Sequence, residues 1–320
     1  MVRILITGIS GFVGRHLVKH LLDVIPDAQI HGITQQKLAS DSFNAVYHTL
    51  DLRDKAAVNA LIEEIAPEQI YHLAAQAFVP RSFEDPWDTL ENNILSQLNL
   101  ILACLAQGIR PRILIVGSAE TYGNVRPEDI PIHENIPLRP SSPYSVSKVT
   151  QDMMGLQYHF SHQMPIVRVR PFNHTGPGQD ERFVIPAFAM QIARIEAGLQ
   201  EPIVKVGDLS AERDFTDVRD IVRAYQLVVQ KGEPGEVYNI ASGKSHSIQS
   251  ILDQLCSYST VRIKVEVDPA RMRPTAIPVL RGDASRLRQA TGWQPIISFD
   301  QMLEDVLNDC RQRIKESNRS

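Results

Sequence analysis

Residues 3–22 read RILITGISGFVGRHLVKHLL, and this stretch decides the fold. A mostly apolar, branched run comes first, then Gly8, Gly11 and Gly14, and then apolar residues at helical spacing. That order predicts a buried strand, a tight turn and a helix. Glycine has no Cβ, so a pyrophosphate can approach the free N–H groups and the positive dipole end of the helix. The stretch therefore predicts a dinucleotide-binding turn, and a tight turn without a ligand is the alternative.

Short apolar runs recur along the chain and alternate with helical patterns. The strand-like runs cover residues 29–34, 46–50, 69–73, 112–118 and 165–170, and the helical patterns cover residues 55–65, 89–107 and 145–160. Strands that alternate with helices predict an α/β fold with a doubly wound, Rossmann-type parallel sheet. Ligands of such sheets bind in the crevice at the carboxyl ends of the strands.

The pattern changes after the fifth of these strands. A loop rich in Gly and Pro covers residues 173–178, and mixed, shorter elements follow it as far as an amphipathic segment at 299–314. We expect residues 1–175 to form the dinucleotide-binding domain. Residues 176–320, here called the C-terminal lobe, are expected to form mainly a smaller α/β substrate-binding unit, with segments near 211–240 returning to the large sheet.

The composition is that of an ordinary globular protein of 320 residues, 43% hydrophobic and 22% charged. Its acidic and basic residues are mixed and leave a net charge of -4, which argues against a nucleic-acid or membrane surface. Cys104, Cys256 and Cys310 have no metal-ligand spacing, so we expect reduced thiols and no metal site. The sequence shows no signal-peptide pattern and no apolar run of membrane-spanning length, which predicts a cytoplasmic protein.

Tyr144 and Lys148 form the pair with the clearest chemical meaning. Residues four apart share one face of a helix, so the ammonium of Lys148 can lie beside the phenol of Tyr144. A nearby positive charge favours the phenolate, and we expect Lys148 and a cationic nicotinamide ring together to bring the pKa of Tyr144 toward the working pH and make the residue an acid-base. A chance pair on an exposed helix face is the alternative.

Ser118 and Glu120 follow the strand-like run at 112–118, at the expected mouth of the crevice. The Ser118 hydroxyl is placed to hydrogen-bond a carbonyl oxygen there. The alternative is a polar strand end without chemistry.

Further motifs stand in a fixed order along the chain. In the first half they are TGxxGFxG at 7–14, Asp51-Leu52, HLAA at 72–75, Asn93, GSxExYG at 117–123 and YxxxK at 144–148. In the second half they are RPFNHTGPGQ at 170–179, Phe183-Val184, KVGD at 205–208, RDFTDV at 213–218, VYN at 237–239 and DPARMRP at 268–274. The set resembles the extended short-chain dehydrogenases/reductases that act on nucleotide sugars, most of all GDP-6-deoxy-4-keto-mannose reductases and next GDP-mannose 4,6-dehydratases.

The resemblance implies roles for individual residues. Tyr144 is the acid-base, Lys148 anchors the nicotinamide ribose and tunes the tyrosine, and Ser118 helps to hold the sugar C4 oxygen. The residues implied in cofactor binding are Gly8, Gly11, Phe12, Val13, Gly14, Thr34, Asp51, Leu52, Leu73, Ala74, Ala75 and Asn93, together with Tyr144 and Lys148. The residues implied in binding the nucleotide sugar are Asn173, Phe183, Val184, Lys205, Arg213, Asn239 and Arg273.

Two arginines in that set have a specific implied partner. Arg213 and Arg273 would bind the diphosphate, since a planar guanidinium suits bidentate recognition of phosphate. Either arginine alone is equally consistent with a surface ion pair.

Three positions depart from the family pattern. The second strand ends in Gln35-Gln36, without the acid that selects NAD(H) or the arginine that selects NADP(H), so both cofactors are expected to work. Phe12-Val13 stands where the dehydratases tend to carry Gln-Asp, which favours the reductase. Ala276 replaces a glutamate that commonly lies near the nucleotide ribose, which leaves that contact open.

The resemblance therefore predicts reduction of the C4 ketone of GDP-4-keto-6-deoxy-D-mannose by NAD(P)H, with GDP-D-rhamnose as product. The alternatives are a GDP-mannose 4,6-dehydratase that uses Glu120, a related nucleotide-sugar epimerase or dehydratase, and a nucleotide sensor without activity. A homodimer is also implied, through helices at 89–107 and 145–160 that carry surplus apolar residues such as Leu98 and Met153. Packing of these residues against the sheet is the alternative.

Overall fold

The computed structural model describes residues 1–36, 44–271 and 277–318, and its centre is a parallel sheet. The strands of this sheet are β1 (Arg3–Thr7), β2 (Gln29–Thr34), β3 (Val46–Thr49), β4 (Gln69–His72), β5 (Arg112–Val116), β6 (Ile166–Pro171) and β10 (Val237–Ile240). Their order across the sheet is β10-β6-β5-β4-β1-β2-β3, and every neighbouring pair is parallel. Chain order reverses between β1 and β4, which is where doubly wound sheets open a crevice. The predicted fold class is confirmed.

Helices cover both faces of the sheet. They are α1 (Phe12–Val24), α2 (Lys55–Ile65), α3 (Val79–Glu84), α4 (Pro86–Ala106), α5 (Pro143–His162), α6 (Val184–Glu196), α7 (Val218–Lys231), α8 (Ile248–Ser257), α9 (Ser285–Thr291) and α10 (Phe299–Ser317). Alternate residues of β1 point to opposite faces: Ile4 and Ile6 pack in the cluster with α1 and α7, whereas Leu5 packs in the cluster with α2 and α4. Burial on both faces explains why the strands read as continuous apolar runs.

The second half of the chain adds two small sheets. One consists of β7 (Asn173–Thr175), β9 (Glu212–Asp217), β11 (Ser245–Ser247) and β13 (Val279–Leu280), and the other pairs β8 (Ile203–Val206) with β12 (Lys264–Val267). Helices α6, α8 and α10 share a separate hydrophobic core that includes Phe188, Leu252 and Leu303. Although α7 and β10 come late in the chain, they belong to the large sheet and its core.

A capping box sets the start of helix α5. Ser142 accepts a hydrogen bond from the Ser145 N–H at 3.0 Å, and the Ser145 hydroxyl accepts one from the Ser142 N–H at 2.9 Å. Pro143 follows as the first helical residue, where its missing N–H costs nothing. This capping box fixes the first turn of α5 and with it the position of Tyr144.

No helix among the described residues combines the length and the apolar character needed to cross a membrane. No group of three or more His, Cys, Asp or Glu side chains in the same residues is arranged to hold a metal ion.

A buried ion cluster joins α5 to the large sheet. Asp152, which is 1% exposed, accepts hydrogen bonds from Arg168 and, at 2.6 Å, from the Nε of Arg170. Arg170 also donates to the Tyr122 hydroxyl at 3.0 Å and to the Glu134 carbonyl at 3.2 Å. The single carboxylate of Asp152 therefore balances two buried guanidinium groups.

Replacing Asp152 by alanine is expected to lower the free energy of unfolding by about 3–5 kcal/mol, because two buried cations lose their counter-charge. Urea denaturation followed by circular dichroism measures the loss. Glu68→Ala is the matched control, since the Glu68 pair with Arg3 is exposed on both sides and is worth less than about 1 kcal/mol. Equal losses in the two variants would contradict this account of the cluster.

Candidate active site

The turn after β1 brings the start of α1 against the end of that strand. A Cβ at Gly14 would lie 2.4 Å from the Gly8 carbonyl oxygen and 2.6 Å from that of Ile9, closer than atoms can approach. Gly8 has a φ of 71°, in the left-handed region that favours glycine. Gly11 is the N-cap and provides no side-chain cap, so the first N–H groups of α1 keep no partner within the helix. This geometry fits the pyrophosphate of a dinucleotide.

The Thr7 hydroxyl links this turn to the loop after β4, a role that the sequence did not reveal. It accepts hydrogen bonds from the N–H groups of Leu73 at 3.1 Å and Ala74 at 3.0 Å, and it lies 2.9 Å from Nδ1 of His72. Burial and the nearby charge of Lys148 lower the pKa of His72 to about 3, so its ring is neutral. The Thr7 hydroxyl therefore shares a hydrogen bond with His72 while it fixes two residues with an implied role in cofactor binding.

Asn93 fixes the next part of that loop. Its Oδ1 accepts a hydrogen bond from the Gln76 N–H at 2.8 Å, and its Nδ2 donates to the Ser147 hydroxyl at 2.9 Å. Asn93 is fully buried, so the structure uses it to hold the loop against α5.

The four residues with an implied catalytic role lie together at the carboxyl end of β5. The Ser118 hydroxyl accepts a hydrogen bond from the Glu120 N–H at 3.1 Å and interacts with the phenol of Tyr144. Lys148 donates from Nζ to the Val116 carbonyl at 2.8 Å, and its Nζ lies 6.0 Å from the centre of the Tyr144 ring. Tyr144 and Lys148 are 8% and 5% exposed.

The pKa of Tyr144 shifts in the direction opposite to the sequence-based expectation. Burial raises it to about 12, the interaction with Ser118 opposes this increase, and the charge of Glu120 adds to it. Burial dominates over Lys148, whose ammonium donates to the Val116 carbonyl. Burial also lowers the pKa of Lys148 to about 8. Tyr144 is therefore a protonated phenol at neutral pH, the form that donates a proton.

Glu120 and Arg213 bring opposite charges to the crevice from the two halves of the chain. Burial raises the pKa of Glu120, and Arg213 opposes that shift. Burial lowers the pKa of Arg213, and Glu120 opposes that shift in turn. Arg213 donates to the Glu212 carbonyl at 2.8 Å, which fixes its guanidinium group on β9. An anionic ligand here would meet a desolvated cation.

The second half of the chain supplies two further features that suit a ligand. The buried Oδ1 of Asn173 has no hydrogen-bond partner among the described residues. Phe183 is the N-cap of α6 without a side-chain cap, and Val184 is its first residue, so backbone N–H groups are free at this helix end.

Three further residues are implied in binding the nucleotide sugar: Lys205, Asn239 and Arg273. Lys205 is exposed on β8. Asn239 is fully buried: its Oδ1 accepts from the Tyr122 hydroxyl at 2.7 Å and its Nδ2 donates to the Ile132 carbonyl at 2.9 Å. This placement argues against the predicted substrate contact of Asn239, because a structural network already uses its amide. Arg273 lies outside the described residues, as does Ala276.

The residues expected near the adenosine lie at the ends of β2 and β3. The Asp51 carboxylate pairs with Arg53 at 2.6 Å, and this pairing holds the pKa of Asp51 below its usual range. Leu52 is buried, and the buried Thr34 donates to the Gln36 carbonyl at 2.7 Å. Arg53 is a charged neighbour of this end of the site that the sequence analysis missed.

Aromatic contacts join the two halves of the chain. They have no local signal in the sequence. The Phe12 and His174 rings are stacked, with centroids 6.4 Å apart. Phe78 meets Phe183 edge-on with centroids 6.0 Å apart, and the guanidinium carbon of Arg182 lies 5.3 Å from the Phe78 ring centre.

Comparisons with known proteins agree with this architecture. The sequence model of the GDP-mannose 4,6 dehydratase family matches residues 5–306. The chain belongs to this family. A relative named GDP-6-deoxy-D-mannose reductase, from Pseudomonas aeruginosa, is 38% identical over 314 residues, which cover 98% of this chain and 99% of the relative. GDP-mannose 4,6 dehydratase 1 of Arabidopsis thaliana is 29% identical over 326 residues, with 95% and 88% covered.

Solved structures of family-like proteins match almost the whole chain. A structure of RMD from Pseudomonas aeruginosa complexed with NADPH has a TM-score of 0.88 and 36% identity, and covers 98% of this chain and 100% of that chain. Thermus thermophilus UDP-glucose 4-epimerase in complex with NAD has a TM-score of 0.86 and 29% identity, with 97% and 99% covered. The predicted membership of the nucleotide-sugar short-chain dehydrogenases/reductases is confirmed.

Tyr144→Phe is expected to lower kcat about 10²- to 10⁴-fold, since the ring still packs and only the transferable proton is lost. Binding of NADPH and GDP, measured by titration calorimetry, should stay close to wild type. Tyr158→Phe, the same change further along α5, is the matched control and should keep full activity. A Tyr144→Phe protein with more than about a tenth of the wild-type kcat would remove Tyr144 from its assigned role.

Proposed function

We propose that this protein reduces the C4 ketone of GDP-4-keto-6-deoxy-D-mannose to a GDP-6-deoxyhexose, GDP-D-rhamnose. The observation that carries the proposal is the pairing of Ser118 with a protonated Tyr144 beside Lys148 at the carboxyl end of β5. A ketone reductase needs a proton donor at that point, and the Tyr144 phenol lies there beside Ser118 and Lys148. The reductase named among the relatives supports the same substrate.

The proposed roles follow from the groups present. The Ser118 hydroxyl orients the C4 oxygen, and Tyr144 donates its proton to that oxygen as negative charge develops there. Lys148 carries a positive charge below pH of about 8 and stabilises the phenolate that remains. Burial of Tyr144 and Lys148 excludes water, which strengthens these interactions.

We propose NADPH or NADH as the cofactor, which supplies the hydride when bound. Among the neighbours with solved structures, one is complexed with NADPH and one with NAD. The turn at Gly8, Gly11 and Gly14 and the first N–H groups of α1 would hold its pyrophosphate. Thr7 would act indirectly by fixing the loop at Leu73 and the residues that follow.

We propose that the two parts of the chain bind different ligands. Residues 1–175, with segments near 211–240, bind the cofactor, and the C-terminal lobe binds the nucleotide sugar together with Asn173 and Arg213. Arg213 would bind the diphosphate, and Asn173 would accept a hydrogen bond from the substrate at its unpartnered Oδ1. The N–H groups at the start of α6, at Val184, would bind the base. Lys205 is a weaker candidate, since it is exposed on β8.

The second candidate is the lyase, a GDP-mannose 4,6-dehydratase. Glu120 favours it, because this carboxyl lies in the crevice and burial raises its pKa, as an acid-base for elimination requires. Relatives named as dehydratases are also present, at lower identity than the reductase. The two activities differ in what they need: elimination requires a carboxyl that moves protons, whereas reduction requires only a hydride and Tyr144.

One assay separates the two. Given GDP-4-keto-6-deoxymannose, the protein should oxidise NADPH or NADH stoichiometrically, whereas GDP-mannose alone should give little product. Glu120→Gln should lower the reduction by about tenfold or less, because that carboxyl has no obligatory proton to transfer in this reaction. Absorbance of the reduced cofactor and chromatography of the GDP-sugars provide the readouts. Conversion of GDP-mannose to the 4-keto-6-deoxy sugar without added reductant, stopped by Glu120→Gln, would establish the lyase instead.

We propose that the protein is a homodimer that pairs through α4 and α5. Met153, Leu156 and Phe160 line an apolar groove on α5, and the Met153 and Phe160 side chains are 39% and 69% exposed. A second copy would cover this surface. Light scattering is expected to give the mass of two chains, and Phe160→Glu should give that of one. A monomeric wild-type protein would refute the dimer.

We also propose a cytoplasmic location. The three cysteines are free in the structure, which agrees with a reducing compartment. Cell fractionation with an antibody against the chain checks the location, and recovery in a secreted fraction would contradict it.

A further inference from the structure

Arg15 lies in the first turn of α1, and its side chain folds back over the glycine turn. Its Nε donates to the Ser10 carbonyl at 2.9 Å. Among the described residues, no carboxylate lies within 4.0 Å of the guanidinium group, and the first turn of α1 contains no acid. A cation at the amino end of a helix is repelled by the positive end of the helix dipole. The position is therefore unfavourable for Arg15 unless an anion binds there.

Two contacts join the glycine turn to the end of β2. The Gly8 N–H donates to the Ile33 carbonyl at 3.1 Å. The Ile9 side chain fills the space beside Gly32, where a Cβ would lie 2.4 Å from it. Ser10 is the next residue of the chain, and its carbonyl holds the guanidinium group. The cation is therefore fixed at the part of the turn that touches β2.

The end of β2 is where dinucleotide-binding sheets distinguish the two nicotinamide cofactors. The ribose 2′ position of the adenosine lies there, and it carries a hydroxyl in NADH and a phosphate in NADPH. The strand is followed by Gln35-Gln36, which provides no charge. Arg53 is also near this end, but Asp51 at 2.6 Å and Asp88 at 3.9 Å outweigh its charge. Of these two described arginines, Arg15 is the one whose charge is free to meet a phosphate.

We propose that Arg15 binds the 2′-phosphate of NADPH and gives the site a preference for NADPH over NADH. The inference rests on the proposed use of a nicotinamide cofactor, which it narrows. The bond from Nε to Ser10 leaves the two terminal NH₂ groups of Arg15 to donate to the phosphate. Arg15 is exposed, so water and salt weaken this interaction. We therefore expect a preference of about tenfold, and both cofactors still bind.

Binding of the two cofactors to the whole protein tests this without any turnover. NADPH and NADH differ only in the group at the ribose 2′ position, so every other contact is common to both. Titration calorimetry in the absence of a nucleotide sugar gives the two dissociation constants. The wild-type protein should bind NADPH about tenfold more tightly. Because the contact is exposed and ionic, this ratio should fall toward one at about 0.5 M NaCl.

Three variants assign the preference to Arg15. Arg15→Gln should bring the ratio to within about twofold of one, mainly through weaker binding of NADPH. Arg15→Lys keeps the charge but loses the paired NH₂ groups, so its ratio should lie between those of the wild type and Arg15→Gln. Lys19→Gln is the matched control, since it removes the same charge from an exposed side chain one turn further along α1, and it should keep the wild-type ratio. All three changes are at exposed positions, so the variants should fold.

The possible failures are distinct. Equal binding of NADPH and NADH by the wild type, or an unchanged ratio in Arg15→Gln, overturns the inference. Equal weakening of both cofactors in Arg15→Gln also overturns it, since Arg15 would then bind the pyrophosphate that both contain. An equal loss of preference in Lys19→Gln does the same, because any positive charge on α1 would then suffice. A wild type that binds neither cofactor refutes the proposed cofactor itself, whereas failure of the reductase assay with a clear NADPH preference refutes only the proposed substrate.

Discussion

The close approach of α1 to the turn after β1 is the constraint on which the site depends. Gly14 permits it, because a Cβ there would lie 2.4 Å from the Gly8 carbonyl oxygen. The approach leaves the first N–H groups of α1 free at the edge of the sheet, where chain order reverses. The Thr7 hydroxyl then ties this turn to the loop after β4, and Asn93 ties that loop to α5. One chain of contacts thus runs from the glycine turn to the helix that carries Tyr144.

Burial then shifts the pKa values of the groups that these contacts hold in place. It raises the pKa values of Tyr144 and Glu120 and lowers that of Lys148. A protonated tyrosine suits reduction of a ketone, where the protein must donate a proton. Glu120 has the properties of an acid-base as well, which is why the lyase stays the second candidate. Both reactions would use the same buried groups. They differ in which of these residues transfers a proton during turnover.

The second half of the chain brings its own groups to the same crevice. Arg213 faces Glu120, Asn173 has an unpartnered oxygen, and Phe183 meets Phe78 across the opening. In the proposed function, cofactor groups come from the large sheet and substrate groups from the second half of the chain. This separation explains how one family holds proteins named as reductases and dehydratases on one fold, since the fold is shared and the site residues vary.

The sequence alone determined the elements and the family, because both are encoded locally: the glycine turn, the alternation of strands and helices, and the spacing of Tyr144 and Lys148. It also named Ser118 and Glu120 beside them, since the carboxyl ends of parallel strands meet at one edge. Only the tertiary structure decided the direction of the Tyr144 pKa shift, because burial depends on segments far apart in the chain. The same holds for Asn239, which looked like a binding residue and lies fully buried in a network with Tyr122. Contacts across 105 residues, such as Phe78 with Phe183, leave no periodic or local signal, so packing alone creates them.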